Sequence, residues 1–158
     1  MTQQPSNPQF AFKCQSSHED CQRFILHTSD EMMAFGTSLA GALSFPRVIA
    51  LCGDLGAGKT TMAKGIISAL TGVHPSEVTS PTFQYVQFYT HGTLRIAHFD
   101  VWRLHGVDEF VSLGLEEYLS DSLAIVEWPD RIHELLPKNT LWVKASVIES
   151  GRLVTISQ

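Results

Sequence analysis

No run of lysine or arginine occurs anywhere in this chain, and 11 basic residues face 16 acidic ones, a formal net charge of −5. Proteins that grip nucleic acid broadly need clustered Lys and Arg to neutralise phosphates, so that class is excluded unless a local patch is assembled in three dimensions. Cysteine is scarce too. Cys14, Cys21 and Cys52 are odd in number and form no C-x-x-C pair, which leaves no disulfide or zinc framework. Cys52 lies in an apolar run and reads as a core residue. The histidines, His18, His27, His74, His91, His98, His105 and His133, never take an H-E-x-x-H spacing and read as solvated or core side chains. No apolar stretch is long enough to span a membrane, and polar Met1 to Gln9 lacks the regions of a signal peptide. The expectation is a cytoplasmic protein with no membrane partner. Internal repeats and low-complexity segments are missing as well.

What remains is an ordinary globular composition, 44% hydrophobic over 158 residues, enough for one domain with a full core. Residues 1–22 read as a flexible N-terminal extension and 23–158 as a single domain. Phe24 to Leu26 fits a strand. Thr28 or Ser29 caps a helix, Thr28 with Glu31 matching a capping box, and Met32, Phe35, Leu39 and Leu43 repeat at helical spacing. Arg47 to Cys52 reads as a buried strand and Thr61 to Leu70 as a helix stopped by Gly72. Gln84 to Thr90 and Thr93 to Asp100 form a hairpin pattern around His91-Gly92. Val107 to Ser120 is helical with a break at Gly114. Leu123 to Glu127 is a short apolar strand, Asp130 to Leu135 a short helix, and Thr140 to Ile148 and Arg152 to Ile156 two closing strands. A hairpin inside a βα alternation implies a mixed sheet, so the fold class is a three-layer α/β domain.

The chemistry is carried by Gly53-Asp54-Leu55-Gly56-Ala57-Gly58-Lys59-Thr60, which fits G-x-x-x-x-G-K-[ST]. A triphosphate needs several N–H donors converging on its oxygens, and the backbone must curl without Cβ atoms in the way. The helix that follows adds its free N–H groups and the positive end of its dipole. Lys59 suits the β- and γ-phosphates, and the Thr60 hydroxyl suits Mg²⁺. An apolar strand before the loop and a helix after it supply the context this motif requires.

Turnover needs acids beside the phosphates. Leu94 to Asp100 and Leu123 to Glu127 are apolar runs that each end in a carboxylate, and ligands collect at the carboxyl ends of strands in open α/β sheets. One acid would hold Mg²⁺ and the other would orient water; either order fits. Ser80-Pro81-Thr82-Phe83 lies one crossover after the loop helix, where GTPase-like proteins keep a switch hydroxyl. Thr82 suits that part, although on spacing alone a proline turn entering a strand is the better explanation. Trp102, Trp128 and Trp142 read as packing residues, with Trp128 directly after Glu127 and so near any nucleotide.

GDLGAGKTT from Gly53 to Thr61, SPTF from Ser80, HFDVWRL from His98 and EWP from Glu127 occur in one order and spacing. Together they resemble the bacterial TsaE (YjeE) family, the P-loop ATPases required for threonylcarbamoyladenosine modification of tRNA. The resemblance implies a P-loop NTPase-like fold with a central mixed sheet. It implies ATP or ADP held by Gly56, Ala57, Gly58, Lys59, Thr60 and Thr61, with Thr28 near the base and Trp128 near the nucleotide. It further implies Mg²⁺ held by Thr60 and Glu127, catalytic support from Lys59 and Asp100, and a switch at Thr82. Family members do not transfer the threonylcarbamoyl group; they act as nucleotide-driven accessories to the transferase catalytic subunit and its non-catalytic partner. The tRNA would then be handled indirectly, as the acidic composition suits. Two departures stand out. Trp102 replaces the family's usual tyrosine, for which a packing difference is expected, and Met32-Met33 stand where the first helix often carries threonine, which weakens the base assignment.

Two other readings share the loop. A small-molecule kinase would need an arginine-rich lid, and Arg95, Arg103 and Arg131 are dispersed with no long insertion. A non-hydrolysing nucleotide-binding switch would have little use for Asp100 and Glu127.

Overall fold

A computed structural model describes residues 21–42 and 48–158. The expectations for the N-terminal extension, Cys14, Leu43 and Arg47 lie outside those residues. Seven strands form one sheet: β1 (Gln22–Leu26), β2 (Val48–Cys52), β3 (Val86–His91), β4 (Leu94–Asp100), β5 (Leu123–Glu127), β6 (Leu141–Ile148) and β7 (Gly151–Ser157). Their order is β1-β7-β6-β2-β5-β4-β3. β2 pairs in parallel with β5 and β6, and β5 with β4, whereas β3–β4, β6–β7 and β1–β7 are antiparallel. The sheet is therefore mixed, and the hairpin expected around Gly92 is present.

The consequence for function lies in the centre. β2, β5 and β4 are adjacent and parallel, so their carboxyl ends finish along one edge. That edge carries Gly53 after β2, Glu127 at the end of β5 and Asp100 at the end of β4, and Asp100 is the direct register partner of Glu127.

Parallel strands buried on both faces are apolar throughout, and β2 and β5 meet that condition. On one face, Ile49, Leu51, Ile96 and Ile125 pack against Met32, Phe35 and Leu39 of α1 (Ser29–Ala42) and Met62, Ile66 and Ile67 of α2 (Lys59–Thr71). On the other face, Val48, Phe99 and Val126 pack against Phe110 of α3 (Val107–Ser112), Leu119 of α4 (Tyr118–Asp121) and Ile132 of a 3-10 segment, Pro129–Leu135. Three layers result. Side chains alternate along a strand, so His98, Asp100 and Glu127 share the α1/α2 face with Ile96 and Ile125.

α1 and α2 cross with their backbones in contact. A Cβ placed on Gly36 would lie 2.3 Å from the Met62 carbonyl oxygen, and one on Gly65 would lie 2.2 Å from that of Met33. The helical stretch expected over residues 107–120 with a break at Gly114 is two short helices on either side of that glycine. Gly114 adopts a left-handed φ of 69°, and the chain turns there before α4. Among the described residues no helix is long and apolar enough to cross a membrane.

Candidate active site

The loop between β2 and α2 has the shape its glycines allow. Gly53 has φ 140°, and a Cβ there would lie 2.2 Å from the Ala145 carbonyl oxygen of β6. Only glycine fits that approach. Gly58, left-handed at φ 101°, is the N-cap of α2, and no side chain accepts a hydrogen bond from the first turn. Those N–H groups are thus uncommitted at the positive end of a 13-residue helix, the arrangement that receives phosphate.

Lys59 is almost fully buried. Its Nζ donates to the carbonyl oxygens of Gly53 at 2.6 Å and Asp54 at 2.8 Å, and lies 3.8 Å from the centre of the Trp128 ring. Burial pushes the ammonium pKa below the ordinary lysine value, while Glu127, then Asp100 and Asp54, pull it back. Trp128 reaches this place because its own backbone is left-handed, φ 63°, an uncommon conformation for a bulky residue and one that concentrates at functional sites. Trp102 lies beside it, ring centres 4.2 Å apart and tilted by 42°, so Trp102 packs on the ring that covers Lys59.

The two acids have separate partners. The Thr60 hydroxyl lies 2.8 Å from Glu127 Oε2 and 3.0 Å from Oε1, and His98 Nε2 lies 2.8 Å from Oε1. Asp100 Oδ2 accepts from the hydroxyls of Ser80 and Thr82, the latter at 3.0 Å, and Oδ1 accepts from the Trp102 N–H at 3.1 Å.

At the far end, α1 begins with the predicted cap. Glu31 N–H donates to Thr28 Oγ1 at 3.1 Å, and the Glu31 carboxylate accepts from the N–H of His27 at 2.6 Å. Thr28 therefore faces the same cleft as the loop, a cavity of about 500 Å³ that also takes in Gly56, Ala57, Thr60, Thr61 and Asp100. Every residue singled out from the sequence lines this cleft: Thr28, Gly56, Ala57, Gly58, Lys59, Thr60, Thr61, Thr82, Asp100, Glu127 and Trp128.

Three contributors escaped the sequence reading. His98 is a bonded partner of Glu127 and not a mere core histidine; its signal was a polar residue two positions before Asp100 in an otherwise apolar strand. Ser80 shares Asp100 with Thr82. Arg152, on β7, donates from Nη2 to the Gly56 carbonyl at 3.1 Å, and a residue so far along the chain carries no local signal.

The residues suit a magnesium nucleotide. Mg²⁺ prefers oxygen donors and takes one or two protein ligands beside phosphate oxygens, and Thr60 with Glu127 offers such a pair. Among the described residues no group of three His, Cys, Asp or Glu forms a metal cage, and a phosphate-borne ion needs none.

Known proteins resemble this chain. The family model for "Threonylcarbamoyl adenosine biosynthesis protein TsaE" matches residues 26–154. The tRNA threonylcarbamoyladenosine biosynthesis protein TsaE of Rickettsia bellii is 35% identical over 128 residues, 81% of this chain and 88% of that protein. The Treponema pallidum protein of the same name is 32% identical over 137 residues, covering 85% and 99%. The crystal structure of Bacillus subtilis YdiB superposes with a TM-score of 0.65 at 28% identity, covering 87% of this chain and 85% of that one. With the family model spanning most of its length, and with relatives matched nearly end to end, the chain belongs to the TsaE family.

Proposed function

We propose that this protein is a Mg²⁺-dependent P-loop ATPase that serves threonylcarbamoyladenosine formation in tRNA, in the cytoplasm, as a nucleotide-driven accessory to the threonylcarbamoyl transferase and its non-catalytic partner. The observation that carries the ATPase reading is the Thr60–Glu127 contact at 2.8 Å, which sets a hydroxyl and a carboxylate at the first turn of the phosphate-loop helix. Membership of the TsaE family carries the tRNA reading.

Each residue then has a task. The first-turn N–H groups of α2 receive the phosphates, and Lys59 exchanges the Gly53 and Asp54 carbonyls for phosphate oxygens. Thr60 and Glu127 would hold Mg²⁺, whose chemistry there would be neutralisation of charge on the phosphate oxygens. Asp100 has its oxygens committed to Ser80, Thr82 and the Trp102 N–H. It acts by holding the hydroxyl-bearing segment beside the γ-phosphate position, with Thr82 as the switch. Trp128 shields Lys59 from water, and Thr28 stands at the base end.

The test is Mg-ATP hydrolysis by the purified protein, alone and with the transferase pair added. Slow turnover that rises sharply with the pair is expected. Turnover indifferent to the pair would remove the accessory role, and ATP consumption matched by a phosphorylated acceptor would make the protein a kinase.

A further inference from the structure

His98 has no place in the loop chemistry, yet it is the most completely enclosed ionisable side chain around the cleft, with no exposed surface. It sits on β4 with Ile125 of β5 as its register partner, beside Ile96, in a predominantly apolar layer. Its Nε2 lies 2.8 Å from Glu127 Oε1. Its Nδ1 has no hydrogen-bond partner.

A buried, unpaired ring nitrogen lowers stability, and an aliphatic residue would fill the same strand position without that cost. Packing therefore does not account for the histidine; the contact with Glu127 does. A carboxylate oxygen accepts, so His98 engages Glu127 through an Nε2–H. Bonded at Oε1 from within the core, Glu127 presents Oε2 as the oxygen nearer the Thr60 hydroxyl, 2.8 Å against 3.0 Å.

We propose that His98 is a positioning residue: its Nε2–H fixes the Glu127 carboxylate in the orientation that receives Mg²⁺. The proposal rests on the reading above in which Thr60 and Glu127 hold the ion. Partners of this kind orient metal ligands, and their loss typically weakens metal binding about 10- to 100-fold.

The experiment measures ADP affinity by calorimetry with Mg²⁺ and with EDTA, on the full-length protein and folded variants. Glutamine can place its amide N–H where Nε2 stands, whereas asparagine is too short. His98→Gln should keep most of the Mg²⁺-dependent gain in affinity, and His98→Asn should lose roughly 10- to 100-fold of it, with affinity in EDTA unchanged in both. His98→Leu should lose the gain like His98→Asn while melting no lower than the wild type, which a merely structural histidine would not allow. If His98→Leu fails to fold, the Gln/Asn pair decides alone.

Equal Mg²⁺ gains in the Gln and Asn variants, whether both intact or both lost, would overturn the positioning role. A wild type with no Mg²⁺ gain, or a Glu127→Gln variant that keeps it, would overturn the ion site itself and the role of His98 with it. The two failures are distinguishable because only the second appears without any change at His98.

Discussion

Asp100 and Glu127 end neighbouring parallel strands as register partners, are almost equally buried at 4% and 2% exposure, and share one cleft, yet they are held by different parts of the molecule. Glu127 is bonded by α2 through Thr60 and by the sheet interior through His98, so its partners are all in regular structure. Asp100 is bonded by Ser80 and Thr82, which lie in the connection between α2 and β3, and by the N–H of Trp102 just beyond β4. Burial does not distinguish the acids; the kind of structure that donates to them does, a helix and a strand for Glu127 and connecting segments for Asp100.

Exchanging the charges one at a time is the most direct way to break this contrast. Glu127→Gln should lower ATP turnover by roughly 10²- to 10³-fold, the scale of losing a preorganised electrostatic contact, and abolish the Mg²⁺ gain in nucleotide affinity. Asp100→Asn should cost about 10²-fold in turnover through misplacement of the hydroxyl segment while leaving the Mg²⁺ gain in place. Steady-state phosphate release paired with calorimetry separates them, and identical profiles would erase the distinction.

Stability probes the frame alone. Gly65→Ala, whose Cβ would meet the Met33 carbonyl oxygen at 2.2 Å, should destabilise the protein by about 1–3 kcal/mol in urea unfolding, as overpacking does. Thr28→Ala removes the cap of α1 and should cost about 1 kcal/mol in the same measurement.

The smallest effect is electrostatic. Burial holds the Lys59 pKa below its ordinary value, so the folded state binds fewer protons than the unfolded chain between the two values. Unfolding free energy should therefore rise with pH across that window and be flatter in Lys59→Met. Glu127 pulls upward more strongly than Asp100. Losing Glu127 should extend the window further towards neutral pH than losing Asp100 does.

How far this was legible depends on the range of the interaction concerned. The glycine loop, the Thr28–Glu31 box and the hairpin at Gly92 are local patterns, and they stand where the spacing put them. That both acids face one cleft was also legible, since ligands collect at the carboxyl ends of strands in open α/β sheets, whereas the pairing of their strands was not. The break at Gly114 was legible as well, since a glycine free to take the left-handed φ of 69° marks where the helical stretch over 107–120 turns. His98 and Arg152 were missed because their meaning lies in a partner 29 residues away in one case and 96 in the other. The left-handed backbone of Trp128, φ 63°, is likewise a feature that sequence spacing does not report.

The glycine crossing of α1 and α2 has a metrological side. Both helices begin at the cleft, one at Thr28 and the other at Gly58, and Gly36 and Gly65 lock them backbone to backbone. The separation of the two tips is thus set by that crossing, remote from the cleft itself, and a ligand reaching from one tip to the other should bind more weakly when a Cβ at Gly36 or Gly65 pushes the helices apart.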